Sequence, residues 1–140
     1  MRIILISNLL LSSSSLSDVP RYYDKKIAIL LHDYFRTALD APKLLGYSFH
    51  NRGPDTVFRI EIECNKSTVN KSLIFSFKAI NMLTEISKRN FTHSTLVIHF
   101  ESGALPVVAE ANIRCTKKFL ISDEIFEENW RKNCLTIKNY

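Results

Sequence analysis

KSLIFSF (71–77), KAINMLTEISKR (78–89), THSTLVIHF (92–100), PVVAEANIRC (106–115) and KKFLIS (117–122) follow one another as a strand, a helix and three further strands. Everything else in the chain can be arranged around this run. Alternation is clearest in HSTLVIHF, where Leu96, Ile98 and Phe100 point one way while Thr95, Val97 and His99 point the other, as a two-residue period requires. One face of that strand is apolar. The run 71–77 leads straight into the helix, with Ser76 as its cap. The helix should bury Ala79, Met82, Leu83 and Ile86 and keep Lys78, Lys88 and Arg89 on or near its wet side. The last three strands are joined through 101–104 and through a tight connection at Thr116 and Lys117.

Upstream, Ile27, Leu30, Leu31, Tyr34, Phe35 and Ala38 recur at three- and four-residue steps across 24–40, the stripe of an amphipathic helix. Pro42 ends it, because the residue before a proline disfavours helical dihedrals. A strand over 44–51, the turn formers Arg52-Gly53-Pro54-Asp55 and a returning strand form a hairpin. In the returning strand Arg59, Glu61 and Glu63 alternate with Ile60, Ile62 and Cys64, which gives one solvated face. Residues 65–70 read as loop. At the N-terminus, MRIILISNLLLSSSSLS admits two readings: a strand over 2–7 with a serine-rich loop, or a short secretory signal. Its apolar run is too short to span a bilayer. Residues 1–122 are read as one domain and 123–140 as a tail, either frayed with one packed aromatic or a short helix through Ile125, Phe126 and Trp130.

The 140-residue chain carries a formal net charge of +5. Residues 1–122 hold 16 Lys and Arg against 10 Asp and Glu, so the basic excess lies in the body and suits a polyanionic partner. Cys64, Cys115 and Cys134 lack the paired spacing of a zinc site. Their odd number points to a reducing compartment, with Cys64 and Cys115 as buried structural thiols. With only three glycines, no phosphate-cradling loop can be built. His32, His50, His93 and His99 show no metal-ligand spacing, no serine occupies a nucleophile elbow, and Glu61 with Glu63 reads as a solvated strand face. No catalytic residue, metal or cofactor is expected. Asn65-Lys-Ser, Asn70-Lys-Ser and Asn90-Phe-Thr each match the N-glycosylation acceptor pattern.

The order of elements, with Ser72-Leu-Ile-Phe-Ser-Phe-Lys78, Leu96-Val-Ile-His-Phe100, Pro106-Val-Val108 and Phe119-Leu-Ile121, resembles the sliding clamps of the proliferating cell nuclear antigen superfamily. It is most similar to the checkpoint clamp, the nine-one-one complex, here as a single or truncated domain. The resemblance implies an α+β fold in which two amphipathic helices lie on one face of an antiparallel sheet. It further implies a nuclear, non-enzymatic DNA clamp or DNA-damage checkpoint component that encircles double-stranded DNA. Sequence-independent phosphate contacts would come from Lys25, Lys26 and Arg36 of the first helix and Lys78, Lys88 and Arg89 of the second. Its partners would be other clamp subunits in an oligomer or hetero-oligomer without a membrane, joined through an edge strand near 117–122. The alternative, resting on the N-terminal stretch and the three glycosylation patterns, is a small secreted or lumenal glycoprotein that binds another protein.

Overall fold

The computed structural model describes residues 20–121 and 126–139, so the N-terminal strand or signal expected over 2–7 lies outside the described residues. Helix α1 (Asp24–Thr37) leads into the hairpin β1 (Lys43–Arg52) and β2 (Asp55–Cys64), with Gly53 at φ +60° in the turn. A 3-10 turn (Lys66–Thr68) opens α2 (Val69–Glu85), and β3 (His93–Phe100) and β4 (Val107–Asn112) follow. A short helix α3 (Ile113–Thr116), a π-helical turn (Lys117–Ile121), α4 (Glu127–Asn133) and β5 (Leu135–Asn139) complete the chain.

The fold is α+β. The five strands lie in sequence order, and the expected antiparallel sheet holds at three of the four strand pairs, β2 and β3 alone pairing in parallel. A parallel pair cannot be joined by a turn, and α2 supplies the crossover. Ile27, Leu31 and Phe35 of α1 and Leu73, Phe77, Ile80 and Leu83 of α2 share one core with Phe58, Ile60, Ile62, Leu96 and Ile98 of the sheet. Both helices therefore cover one face, as expected.

Residues 71–77 correct the sequence reading: they are helix, not strand. Leu73, Phe77, Ile80 and Leu83 fall at three- and four-residue steps and continue the helical stripe backwards from the expected start. Asn65 begins the helical path, its side chain accepting from the Thr68 amide at 3.1 Å, and Ser76 is a buried mid-helix residue rather than a cap. The buried stripe is centred on Leu73, Phe77 and Ile80 rather than on Ala79, Met82 and Ile86, so Ala79 and Leu83 are buried at its margin while Met82 is 45% exposed. The helix also stops at Glu85, before Lys88 and Arg89.

The expected edge strand at 117–122 is likewise absent from 117–121, where the chain is π-helical. Asn112 accepts from the Cys115 amide at 3.0 Å, starting α3 and turning the backbone out of the sheet, and Leu120 and Phe119 then pack on the helical side. The edge is supplied instead by β5, which no strand pattern in the tail had suggested. Trp130 of α4 is wholly buried, 5.3 Å from the ring of Phe77, with its indole N–H donating to Thr116 Oγ1 at 3.0 Å. Residues 126–139 thus contribute to core and sheet; of the two readings of the tail, the helix is found, at Glu127–Asn133, with Ile125 outside the described residues and one aromatic, Trp130, packed as either reading required.

Candidate functional site

Two surfaces bring polar side chains together. The first is the open face of the sheet, opposite the helices. Strand register sets Ser48, Arg59, Thr95, Glu110 and Thr136 in one row across all five strands, and Val97, Val108 and Lys138 in the row beside it. Alternation leaves no other placement for them once Phe58, Ile60 and Leu96 face the core. The face is concave. Arg52 of β1 donates to both carboxylate oxygens of Glu110 on β4, at 3.1 and 2.5 Å, although two strands intervene. On a flat sheet those strands would stand about 14 Å apart at ~4.8 Å per strand. Val57, Thr95 and Val97 are 0%, 8% and 4% exposed on this face, where no helix among the described residues covers them, in keeping with a sheet that curls around them.

The hydrogen bond from Arg52, offset in part by burial, holds the Glu110 carboxyl below its usual range, and the nearby charges of Arg52, His93 and Lys138 add to the effect. The same bond raises Arg52. His99 Nε2 lies 2.8 Å from Glu61, whose other oxygen is 3.6 Å from Arg59. Glu61 is thus engaged by neighbours on its own face rather than by Glu63.

The second surface lies where α1 begins. Tyr22 and Ser87 form an isolated parallel bridge: the Tyr22 amide donates to the Ile86 carbonyl at 2.7 Å, and the Lys88 amide donates to the Tyr22 carbonyl at 2.9 Å. That bridge brings the segment after α2 against the entry to α1. Arg21, Tyr22, Tyr23, Lys25, Lys26, Ile29 and Lys88 line a shallow depression there. Lys88 Nζ stands 4.1 Å from the Tyr23 ring centroid and Lys26 Nζ 6.0 Å from that of Tyr22, within cation–π reach. Arg89 is ion-paired with Asp24 beside them, which raises its pKa.

Of the six cations expected to contact DNA, Lys25, Lys26 and Lys88 converge here and Arg89 adjoins them through Asp24. Lys88 and Arg89 reach this surface from the segment beyond α2, not from a helix face. Arg36 sits at the far end of α1, bonded to Asp33 at 2.9 Å, and Lys78 is half-buried in the middle of α2. The expected row of helix cations is therefore a cluster at one end. Sequence reasoning passed over Arg21, Tyr22 and Tyr23, although RYYDKK already interleaves aromatics and bases. It also left Arg52, Thr95, Glu110 and Lys138 unassigned, although alternation puts Thr95 opposite the core face.

A disulfide joins Cys115 to Cys134, Cα atoms 5.6 Å apart, tying α3 to the end of α4. This corrects the expected free thiol at Cys115. Cys64 is the free, buried cysteine that makes the number odd, and burial raises its pKa. Asn65, Asn70 and Asn90 are all exposed. Among the described residues no helix is long and apolar enough to cross a membrane. No protein-family model matches the chain, and no curated protein matches it either.

Proposed function

We propose that this chain is a non-enzymatic module that binds polyanions through the basic, aromatic surface at the start of α1. One observation carries the proposal: Arg21, Lys25, Lys26, Lys88 and Arg89 gather around two tyrosines, and among the described residues Asp24 is the carboxylate ion-paired within the cluster. A patch of that kind attracts phosphates or sulfates without reading a sequence, and the tyrosine rings add stacking surface. In its most specific form, carried by the resemblance to sliding clamps, the polyanion is duplex DNA and the module works in a nuclear assembly with other clamp subunits. Among the described residues the sheet edges open to such an assembly are β1 and β5.

Retention on duplex DNA tests this. Three phosphate contacts predict a loss of affinity of about 40-fold between 50 and 200 mM salt, from a slope near 0.9 per contact. Lys25→Glu, Lys26→Glu and Lys88→Glu together should abolish retention, whereas Arg36→Glu should leave most of it. Salt-independent binding, or equal loss from Arg36→Glu, overturns the assignment to this patch. Mixing with candidate clamp subunits should give a ring or hetero-oligomer; a protein that stays monomeric throughout removes the clamp form.

A second reading is favoured by the Cys115–Cys134 disulfide. Disulfides persist in oxidising compartments and are rare in the cytosol and nucleus. Together with the signal-like start and the exposed Asn90, this supports a secreted or lumenal glycoprotein that binds another protein. Expression of the full chain in eukaryotic cells should then give a cleaved N-terminus and a glycosidase-sensitive mass. An intact Met1, no glycan and three alkylatable thiols without reduction would remove this reading.

A further inference from the structure

We propose that the concave open face of the sheet is a binding site for a small organic carboxylate with an apolar tail. This goes beyond the polyanion surface and involves none of its residues. The groove is lined by Arg52, Arg59, Thr95, Val97, Glu110 and Lys138 among others, and encloses about 650 Å³. Small-molecule sites span roughly 300–1,000 Å³.

Its charge is unbalanced in one sense. Arg52 and Glu110 satisfy each other, so the remaining cations decide what the groove attracts. Arg59 has only the loose contact to Glu61 at 3.6 Å, and Lys138, whose charge also acts on Glu110, forms no ion pair among the described residues. Arg59 stands directly opposite Thr95, and Lys138 directly opposite Val108. A carboxylate beside Arg59 would face one planar guanidinium suited to bidentate contact, with Lys138 adding positive charge from β5.

Thr95 supplies a second and independent observation. It is 8% exposed, lies on the groove floor, and its hydroxyl has no hydrogen-bond partner. Buried hydroxyls are nearly always bonded, and an exception calls for a partner such as a water, an ion or a ligand; of the unpartnered buried atoms among the described residues, those of Ser76, Asn81 and Thr95, only Thr95 lines the groove. The Thr95 hydroxyl oxygen is itself buried, and a change of χ1 to another staggered well would be needed for it to meet an anion beside Arg59. Val97 and Val108, paired directly across β3 and β4, form an apolar strip next to this row on which the tail would lie.

Hexanoate is a suitable probe, with hexanamide and inorganic phosphate as controls, followed by amide NMR on the full chain. Hexanoate should shift β3 and β4 residues around Thr95 and Val97, and both controls should bind far more weakly. Arg59→Gln and the isosteric Thr95→Val should each weaken hexanoate binding about tenfold, the worth of one charge-assisted hydrogen bond. Arg59→Lys, which keeps the charge and loses the fork, should fall between wild type and Arg59→Gln. Equal binding of hexanamide or phosphate, shifts confined to Tyr22, Tyr23 and Lys88, unchanged affinity in folded Thr95→Val, or no shifts at all would overturn the assignment.

Discussion

On the helix side of the sheet, Phe58, Ile60, Ile62, Leu96 and Ile98 are wholly withdrawn from water among other apolar side chains. One residue along the same strands, on the open side, Arg59, Glu61, Thr95 and Glu110 lie among charges, and the contacts are ion pairs and hydrogen bonds. Both faces hold nearly buried residues. On the first, burial itself stabilises, at roughly 25 cal/mol per Å² of apolar surface. On the second, burial of Thr95 and Glu110 costs free energy unless a partner is present, and Glu110 has one while Thr95 has none. Stability should therefore reside in the helix-covered face and binding capacity in the open one.

The largest break in that contrast should come from Trp130→Ala. Removing a fully buried indole that contacts Phe77 should lower stability by about 3–5 kcal/mol in urea unfolding. A loss under ~1 kcal/mol would mean the C-terminal segment adds little to the core. Next comes Cys115→Ser with Cys134→Ser. The disulfide spans a sequence separation of 19, and opening a loop of that size should cost about 3 kcal/mol. Reduction of the unaltered protein should have the same effect.

Glu110→Gln should cost less, about 0.5–1 kcal/mol at neutral pH, because Arg52 is half exposed and solvent screens the pair. Its pH dependence is more diagnostic. The folded pKa of Glu110 is depressed, so its stabilisation is fully present above the unfolded carboxylate value of about 4.3 and is lost as pH falls through the lower folded value. Glu110→Gln should flatten that part of the acid limb of a stability–pH curve; an unchanged limb would show that the Arg52 bridge does not form in solution. The smallest effect should carry the opposite sign. Thr95→Val removes an unpartnered hydroxyl at constant shape and should raise stability by up to about 1 kcal/mol, while weakening hexanoate binding. Destabilisation instead would mean that Thr95 already has a partner in solution.

The hairpin of β1 and β2, the strand β3 and helix α1 were legible because each repeats a pattern over eight residues or more, and each pattern has one period. Residues 71–77 were not, since Leu73, Phe75 and Phe77 satisfy a two-residue period while Leu73, Phe77 and Ile80 satisfy a helical one. The parallel pairing of β2 with β3 resolves the choice, because it requires a crossover that a strand at 71–77 could not make. Of the candidate surfaces, Lys25, Lys26 and Lys88 could be named from charge and position. Tyr22 and Tyr23 beside them depend on a bridge to Ser87, 65 residues from Tyr22 along the chain, which leaves no local signature.

By itself the sequence determined which residues avoid water: the stripe of α1, the two faces of β2 and β3, and the turn at Gly53. These follow from local periodicity and from backbone preference, which act over a few residues. Only the tertiary structure decided what those residues meet. It joined Cys115 to Cys134, made β5 the sheet edge in place of 117–121, and stretched Arg52 over two strands to Glu110. Those outcomes depend on the curl of the sheet and on contacts between distant segments, and a residue's own neighbours in sequence carry no record of either.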